Sequence, residues 1–327
     1  MQATDVPTHL ANESRRALSS TLYDQRACPL CSDPRIASHL KVVSKPKAES
    51  LRFEELKPYW HGFFKEKAFF SYYRCEGCGT LYCRDFFTKD QLDQLYHQMP
   101  DNTAGVPVEA LRKTQEGYFR LLKQYSTLRG DYLEVGPDIG LFTDFCVKEG
   151  AFERYWLFEP NTAVRNSLET LLKGKTWQIF PEFLNFNRLP DRRITTVSMI
   201  HVLDHLTDPK SLLLEMKKKL APGAVLLFVT HDESSLLAKM TKSKWPPYCL
   251  QHPLLFNPGT ITKLLESAGY KVLSIKKSSN YYPVTYLAKH LFWAAGLKKI
   301  PLPSWNSFAL PFKLGNIMTV AQAPSAS

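Results

Sequence analysis

The sequence predicts an α/β protein built on a doubly wound sheet, with a small cysteine-bearing module ahead of it. Three observations carry this. From Asp131 onward, short apolar runs alternate with amphipathic helical patterns, as expected for parallel strands buried on both faces by crossover helices. A strand, a glycine turn and a helix start follow one another in Asp131-Tyr-Leu-Glu-Val-Gly-Pro-Asp-Ile-Gly140. Upstream, four of the seven cysteines fall into two C-x-x-C pairs, in a stretch rich in aromatics and poor in helical periodicity.

Residues 1–24 are polar, begin MQATDVPTHLANESRR and lack the apolar core of a secretory signal, so they are read as a disordered tail. Residues 25–90 form the cysteine module. Residues 91–128 are read as a helical linker: TKDQLDQLYHQ starts on Thr88 as N-cap, and VEALRKTQEGYFRLLKQY has apolar residues at helical spacing. The main domain spans 129–327. Its strands are expected at 132–135, 155–159, 177–180, 196–200, 225–230 and 271–276, with a last one at 316–321. Helices are expected at 141–149, 162–172, 209–220 and 258–268, the last closed by Gly269. Two stretches, 231–257 and 278–315, break the alternation. They carry Trp245, Tyr248, Tyr281, Tyr282, Trp293 and Trp305. Connections this long and aromatic are expected to be ordered inserts that cap an acceptor pocket.

The 327 residues are 44% hydrophobic and 22% charged, with a net charge of +11. No apolar run approaches the ~20 residues of a membrane span. A peripheral membrane contact through Leu287, Leu291 and Trp293, set among Lys289 and His290, is the alternative use of the second insert. The basic surplus points to an anionic partner, whether nucleic acid, a phosphorylated small molecule or an acidic membrane surface, without choosing among them. Lys217, Lys218 and Lys219 read as a solvated helix face. An odd cysteine count without a signal peptide places the chain in the reducing cytoplasm.

Cys28-Pro-Leu-Cys31 and Cys75-Glu-Gly-Cys78 are two knuckles, each aiming two thiolates at one point. Together they make a tetrahedral Cys₄ shell for zinc, with no coordination position left for catalysis. Gly77 and Gly79 relieve the backbone around the second knuckle.

In the main domain, Gly136 allows a ligand to approach the backbone and Gly140 lets the helix start close to the strand. Glu159, at the tip of the second strand, is spaced to accept the two hydroxyls of an adenosine ribose. The runs LEVGPDIG, LFEPN, VSMIHVLDHLTDP, LAPGAVLLFVT and GNIMTVAQA resemble, in order, the motifs of class I S-adenosylmethionine (SAM)-dependent methyltransferases over roughly residues 115–323. With the zinc knuckles and LYCRDFFTKDQLDQLY, the chain is similar to members with an N-terminal zinc domain that act on sugars, glycans and secondary metabolites. The resemblance implies a Rossmann-like seven-stranded sheet with the last strand antiparallel, and SAM as cofactor. Glu134, Gly136, Asp138, Gly140, Glu159, Met199 and His201 are then the cofactor-binding candidates. Asp138 stands where the family's middle glycine usually stands.

Methyl transfer to a hydroxyl or carbon acid requires a proton acceptor. The related sugar C-methyltransferases use an acid–histidine pair that matches Asp204 and His205, which implies His205 as the base with Asp204 supporting it. Imidazole suits the task because its ordinary pKa lies near neutrality. His252, in the first insert, is the competing base, and Tyr96 and Tyr118 are pocket-closing candidates that would otherwise be core. The expected activity is methyl transfer to a small molecule, a sugar, nucleotide-linked sugar or related metabolite. An RNA methyltransferase with a zinc finger and a non-catalytic SAM-fold subunit are the competing readings.

Overall fold

The computed structural model describes residues 22–60, 68–97, 107–285 and 309–325. The chain divides into two compact units, Met1–Gln98 with Lys242–Leu254, and Met99–Thr241 with Leu255–Ser327.

In the first unit, β1 (Asp24–Gln25) and β2 (Ser38–Val42) are followed by β3 (Tyr72–Cys75), β4 (Leu81–Cys83) and β5 (Asp85–Phe86). β2, β3 and β4 form an antiparallel meander, and β1 pairs with β5. The core is aromatic: Trp60, Phe69, Phe70, Tyr72, Phe86 and Phe87 are all buried. Phe70 and Phe87 meet edge to face at 4.9 Å, a geometry that aligns ring edge with ring face. Residues 242–254 belong to this unit because they fill its core. Trp245 and Tyr248 are buried, Tyr248 stacks on Phe69, and Tyr72 donates its hydroxyl to the His252 carbonyl (2.7 Å). Cys83 N–H donates to the Pro253 carbonyl (2.8 Å), laying the segment along β4. Only part of the insert 231–257 therefore stays with the main domain.

The stretch read as one helical linker also divides. Helix Lys89–His97 belongs to the first unit and starts on Thr88, whose hydroxyl accepts from Gln91 N–H (3.3 Å) while Gln91 Oε1 accepts from Thr88 N–H (3.0 Å). Helix Val108–Leu122 belongs to the second unit, where Tyr118, Phe119, Leu121 and Leu122 are buried in the core. This burial makes Tyr118 a core residue.

The second unit is built on β6 (Arg129–Val135), β7 (Ala151–Phe158), β8 (Trp177–Phe180), β9 (Ile194–Ile200) and β10 (Leu220–His231). The two-residue β11 (Leu254–Leu255) marks the chain's return. Then come β12 (Lys271–Lys277), β13 (Asn280–Pro283), β14 (Ala309–Phe312) and β15 (Asn316–Gln322). The sheet order is β12-β15-β10-β9-β6-β7-β8, and β15 runs antiparallel to both neighbours. This is the Rossmann-like seven-stranded sheet expected above. Its central strands are apolar and buried on both faces, with Leu133, Leu157, Val197, Leu227 and Val320 fully enclosed. The order reverses between β6 and β9, so the switch point and its ligand crevice lie at the carboxyl ends of those strands.

From the insert 278–315, β13 and β14 form an antiparallel pair, and Tyr281 N–H donates to Thr114 on helix Val108–Leu122 (2.8 Å). Trp293 and the stretch expected to touch a membrane lie outside the described residues, as do residues 1–21 of the expected tail. Among the described residues no helix is long and apolar enough to cross a membrane.

Candidate active site

The turn after β6 holds three residues in the left-handed region: Gly136 (φ 70°), Asp138 (φ 52°) and Gly140 (φ 82°). Gly140 is the N-cap of helix Leu141–Glu149, and a Cβ there would stand 2.5 Å from Leu171 Cδ1. A Cβ on Gly136 would stand 2.9 Å from Val202 Cγ2, so this part of the turn admits no side chain. Asp138 keeps the backbone of a glycine; aspartate is among the few residues that tolerate it.

Glu159, the residue after β7, secures that turn. Its Oε2 accepts from Asp138 N–H (2.9 Å) and its Oε1 from Asn161 N–H (2.8 Å). Burial raises its pKa, against the pull of those two amides. Each carboxylate oxygen has a second lone pair, so the group keeps acceptor capacity for ribose hydroxyls. The left-handed turn, the excluded side chain at position 136 and the anchored carboxylate fit the nucleoside end of SAM.

Glu134 and Met199 sit behind this crevice. Glu134 is 2% exposed, and its Oε2 accepts from Tyr132 (2.8 Å) and Thr143 (2.7 Å), tying β6 to the helix that follows the turn. Burial pushes its pKa up to about 7, against those hydrogen bonds and with the nearby Glu159 charge. Met199 is fully enclosed within β9. Both side chains are enclosed in the core behind the turn.

At the carboxyl edge of β9 and β10, three polar side chains converge. Asp204, in the 3₁₀ turn Leu203–His205, is completely buried. Its Oδ2 accepts from the main-chain N–H of His231 (3.1 Å) and lies 2.5 Å from His231 Nδ1. The rings of His231 and His201 are 4.7 Å apart. His201 has a left-handed backbone (φ 53°), and Asn316 Nδ2 lies 3.4 Å from its Nε2. The expected Asp204–His205 pair thus gains a partner that sequence reasoning missed. His231 ends β10, and the parallel register that sets Val229 beside Ile200 carries it to the Asp204 loop. A polar residue ending an apolar strand was its sole signal.

His252 belongs to the first unit. It is buried, and Nδ1 donates to the Pro247 carbonyl (2.7 Å), closing the 247–252 loop. That unit also carries the four cysteines, all reduced. Cys28 and Cys78 sulfurs are 3.5 Å apart, Cys31 and Cys75 sulfurs 3.8 Å. Zinc–sulfur bonds of ~2.3 Å in a tetrahedron separate sulfurs by about 3.8 Å, so the four fit a zinc shell. The knuckles are alike: Ser32 N–H donates to the Cys28 carbonyl (2.8 Å) and Gly79 N–H to the Cys75 carbonyl (2.9 Å). Ser32 (φ 55°) and Gly79 (φ 83°) both take the left-handed turn. The neighbouring Cys28 thiol, by hydrogen bonding, holds the Cys78 thiol below its ordinary value.

A wide groove lined by Asp191, Arg192, Lys217, Lys218 and Lys219 lies at the opposite, amino edge of the sheet. Ligands of such sheets bind at the carboxyl edge, so this groove is separate from the site.

No curated protein matches the chain. It is similar in fold to the N-methyltransferase NodS from Bradyrhizobium japonicum WM9, solved with S-adenosyl-l-homocysteine (SAH). Identity to NodS is 15%, over 72% of this chain and 98% of that one, with a TM-score of 0.44. A SAM-dependent methyltransferase from Aquifex aeolicus is 15% identical over 72% of this chain and 99% of that one, with a TM-score of 0.45. A family model described as a methyltransferase domain matches residues 110–275, which holds the turn, Glu159 and the Asp204 cluster. The chain belongs to that family and is a SAM-dependent methyltransferase.

Proposed function

We propose that this methyltransferase acts on a small-molecule acceptor with an ionisable hydroxyl or acidic carbon: a sugar, a nucleotide-linked sugar or a related metabolite. The observation that carries the reading is the fully buried Asp204 carboxylate at the carboxyl edge of the sheet, engaged by His231. A buried carboxylate among histidines supports proton handling beside the crevice. SAM supplies the methyl group. The turn 136–140, Asp138 included, and Glu159 would hold it. His205 and Asp204 offer a nitrogen and an oxygen within 4.8 Å of each other. His205 takes the acceptor proton, and Asp204 fixes the surrounding histidines. In-line displacement requires the acceptor about 3 Å from the methyl carbon. The zinc on Cys28, Cys31, Cys75 and Cys78 is structural. The +11 charge favours a phosphate-bearing acceptor.

The test is methyl transfer from SAM labelled in its methyl group to a panel of nucleotide-linked sugars, free sugars and RNA. Label in a small-molecule product supports the reading. Label in RNA, with binding that falls steeply as salt rises, would replace it.

A further inference from the structure

His201, Asp204 and His231 come from three points of the chain: the residue after β9, the 3₁₀ turn beyond it and the last residue of β10. Their donor atoms lie within 4.8 Å of one another. We propose that these three residues bind one divalent first-row transition-metal ion, at a site separate from the four cysteines.

Several independent features support an ion here. Two imidazoles and one carboxylate form a donor set that such ions take on one face, leaving positions open to water or substrate. Asp204 is buried completely, and a buried carboxylate needs compensating positive charge or strong donors. The imidazole rings stand 4.7 Å apart, tilted by 38°, close enough to share one ion. Two protonated rings at that distance would repel each other, whereas neutral rings can both ligate. His201 holds a left-handed backbone (φ 53°), an uncommon conformation of the kind that concentrates at functional sites. Its N–H donates to the Val229 carbonyl (2.9 Å), anchoring the residue to β10. Asn316 lies directly across the β10–β15 pair from His231, and its amide reaches His201 Nε2 at 3.4 Å.

Cis ligands on an ion with bonds of 2.0–2.2 Å stand about 3 Å apart. The 2.5 Å contact between His231 Nδ1 and Asp204 Oδ2 would therefore open slightly with an ion bound to both atoms. The donors are nitrogen and oxygen, while the other cluster is all sulfur, so the two sites differ in the metals they take. Placed at the carboxyl edge, the ion would bind an oxygen of the methyl acceptor. That last role rests on the function proposed above; the site itself does not.

The experiment adds Co²⁺ to the full-length protein purified with zinc on its cysteines. Calorimetry and visible absorption follow the binding, and SAH affinity is measured on the same samples. One Co²⁺ per chain is expected, with weak d–d bands and without thiolate charge transfer. His201→Ala, His231→Gln and Asp204→Asn should each weaken Co²⁺ roughly tenfold or more. SAH binding should be retained in the His231→Gln variant. Absence of Co²⁺ binding in the wild type, or only sulfur-bound Co²⁺, would overturn the site. So would unchanged affinity in a His231→Gln variant that still binds SAH. Loss of SAH binding by the wild type would instead count against the SAM reading.

Discussion

The Glu159 carboxylate accepts the main-chain N–H of Asp138 across 2.9 Å, joining the tip of the second central strand to the crown of the glycine turn. The turn therefore depends on a side chain 21 residues downstream. Asp138 is the one non-glycine residue among its three left-handed positions.

Asp138→Gly should leave SAM affinity equal or tighter, because it relieves the left-handed backbone. Asp138→Ala should destabilise the protein by about 1 kcal/mol, the usual cost of that conformation for an alanine. Denaturant midpoints of the two variants check this. Equal midpoints would mean that the turn relaxes elsewhere.

Glu134 should make stability depend on pH. Its native pKa of about 7 lies above the ordinary 4.5, so the folded state keeps a proton that the unfolded chain releases in between. Its contribution is fully present below pH 4.5 and is lost as pH rises through 7. The shift corresponds to at most about 3 kcal/mol. Glu134→Gln carries a permanent neutral group and should flatten the profile, stabilising the protein at about pH 8 relative to the wild type. Parallel pH profiles for the two proteins would place the linked proton elsewhere.

The protein should purify with about one zinc in the cysteine shell. Cys75→Ser should lose most of it and lower the melting temperature. A Cys75→Ser protein that retains its full zinc content would remove Cys75 from the shell.

His205→Ala should lower turnover with the true acceptor by about 10²–10⁴-fold while SAM binding stays nearly intact. His205→Asn should fall comparably, since it keeps polarity but cannot take the proton. Near-normal turnover in His205→Ala would remove His205 as the base.

Much of the architecture was legible because it depends on local pattern. Strand β8 and helix Leu141–Glu149 lie where periodicity puts them, as does helix Pro258–Ser267, which Asn257 caps by accepting from Thr260 N–H (3.0 Å). The glycine turn was legible from the steric demands at Gly136 and Gly140. Two things were hidden. Residues 242–254 join the first unit through Trp245 and Tyr248, whose burial among Phe69 and Tyr72 follows from contacts far apart in sequence. The Asp204–His231 contact is also non-local. It depends on the register of β9 against β10, and the adjacent His205 was the more visible neighbour.

The most direct test of the account is a calorimetric titration of the wild type and Glu159→Ala with SAM. Charge-assisted hydrogen bonds of this kind are worth about 1.5–3 kcal/mol. The wild type should bind SAM at one site per chain, and Glu159→Ala should bind it roughly tenfold more weakly or worse. No binding by the wild type, or equal affinity in the two proteins, would contradict the account.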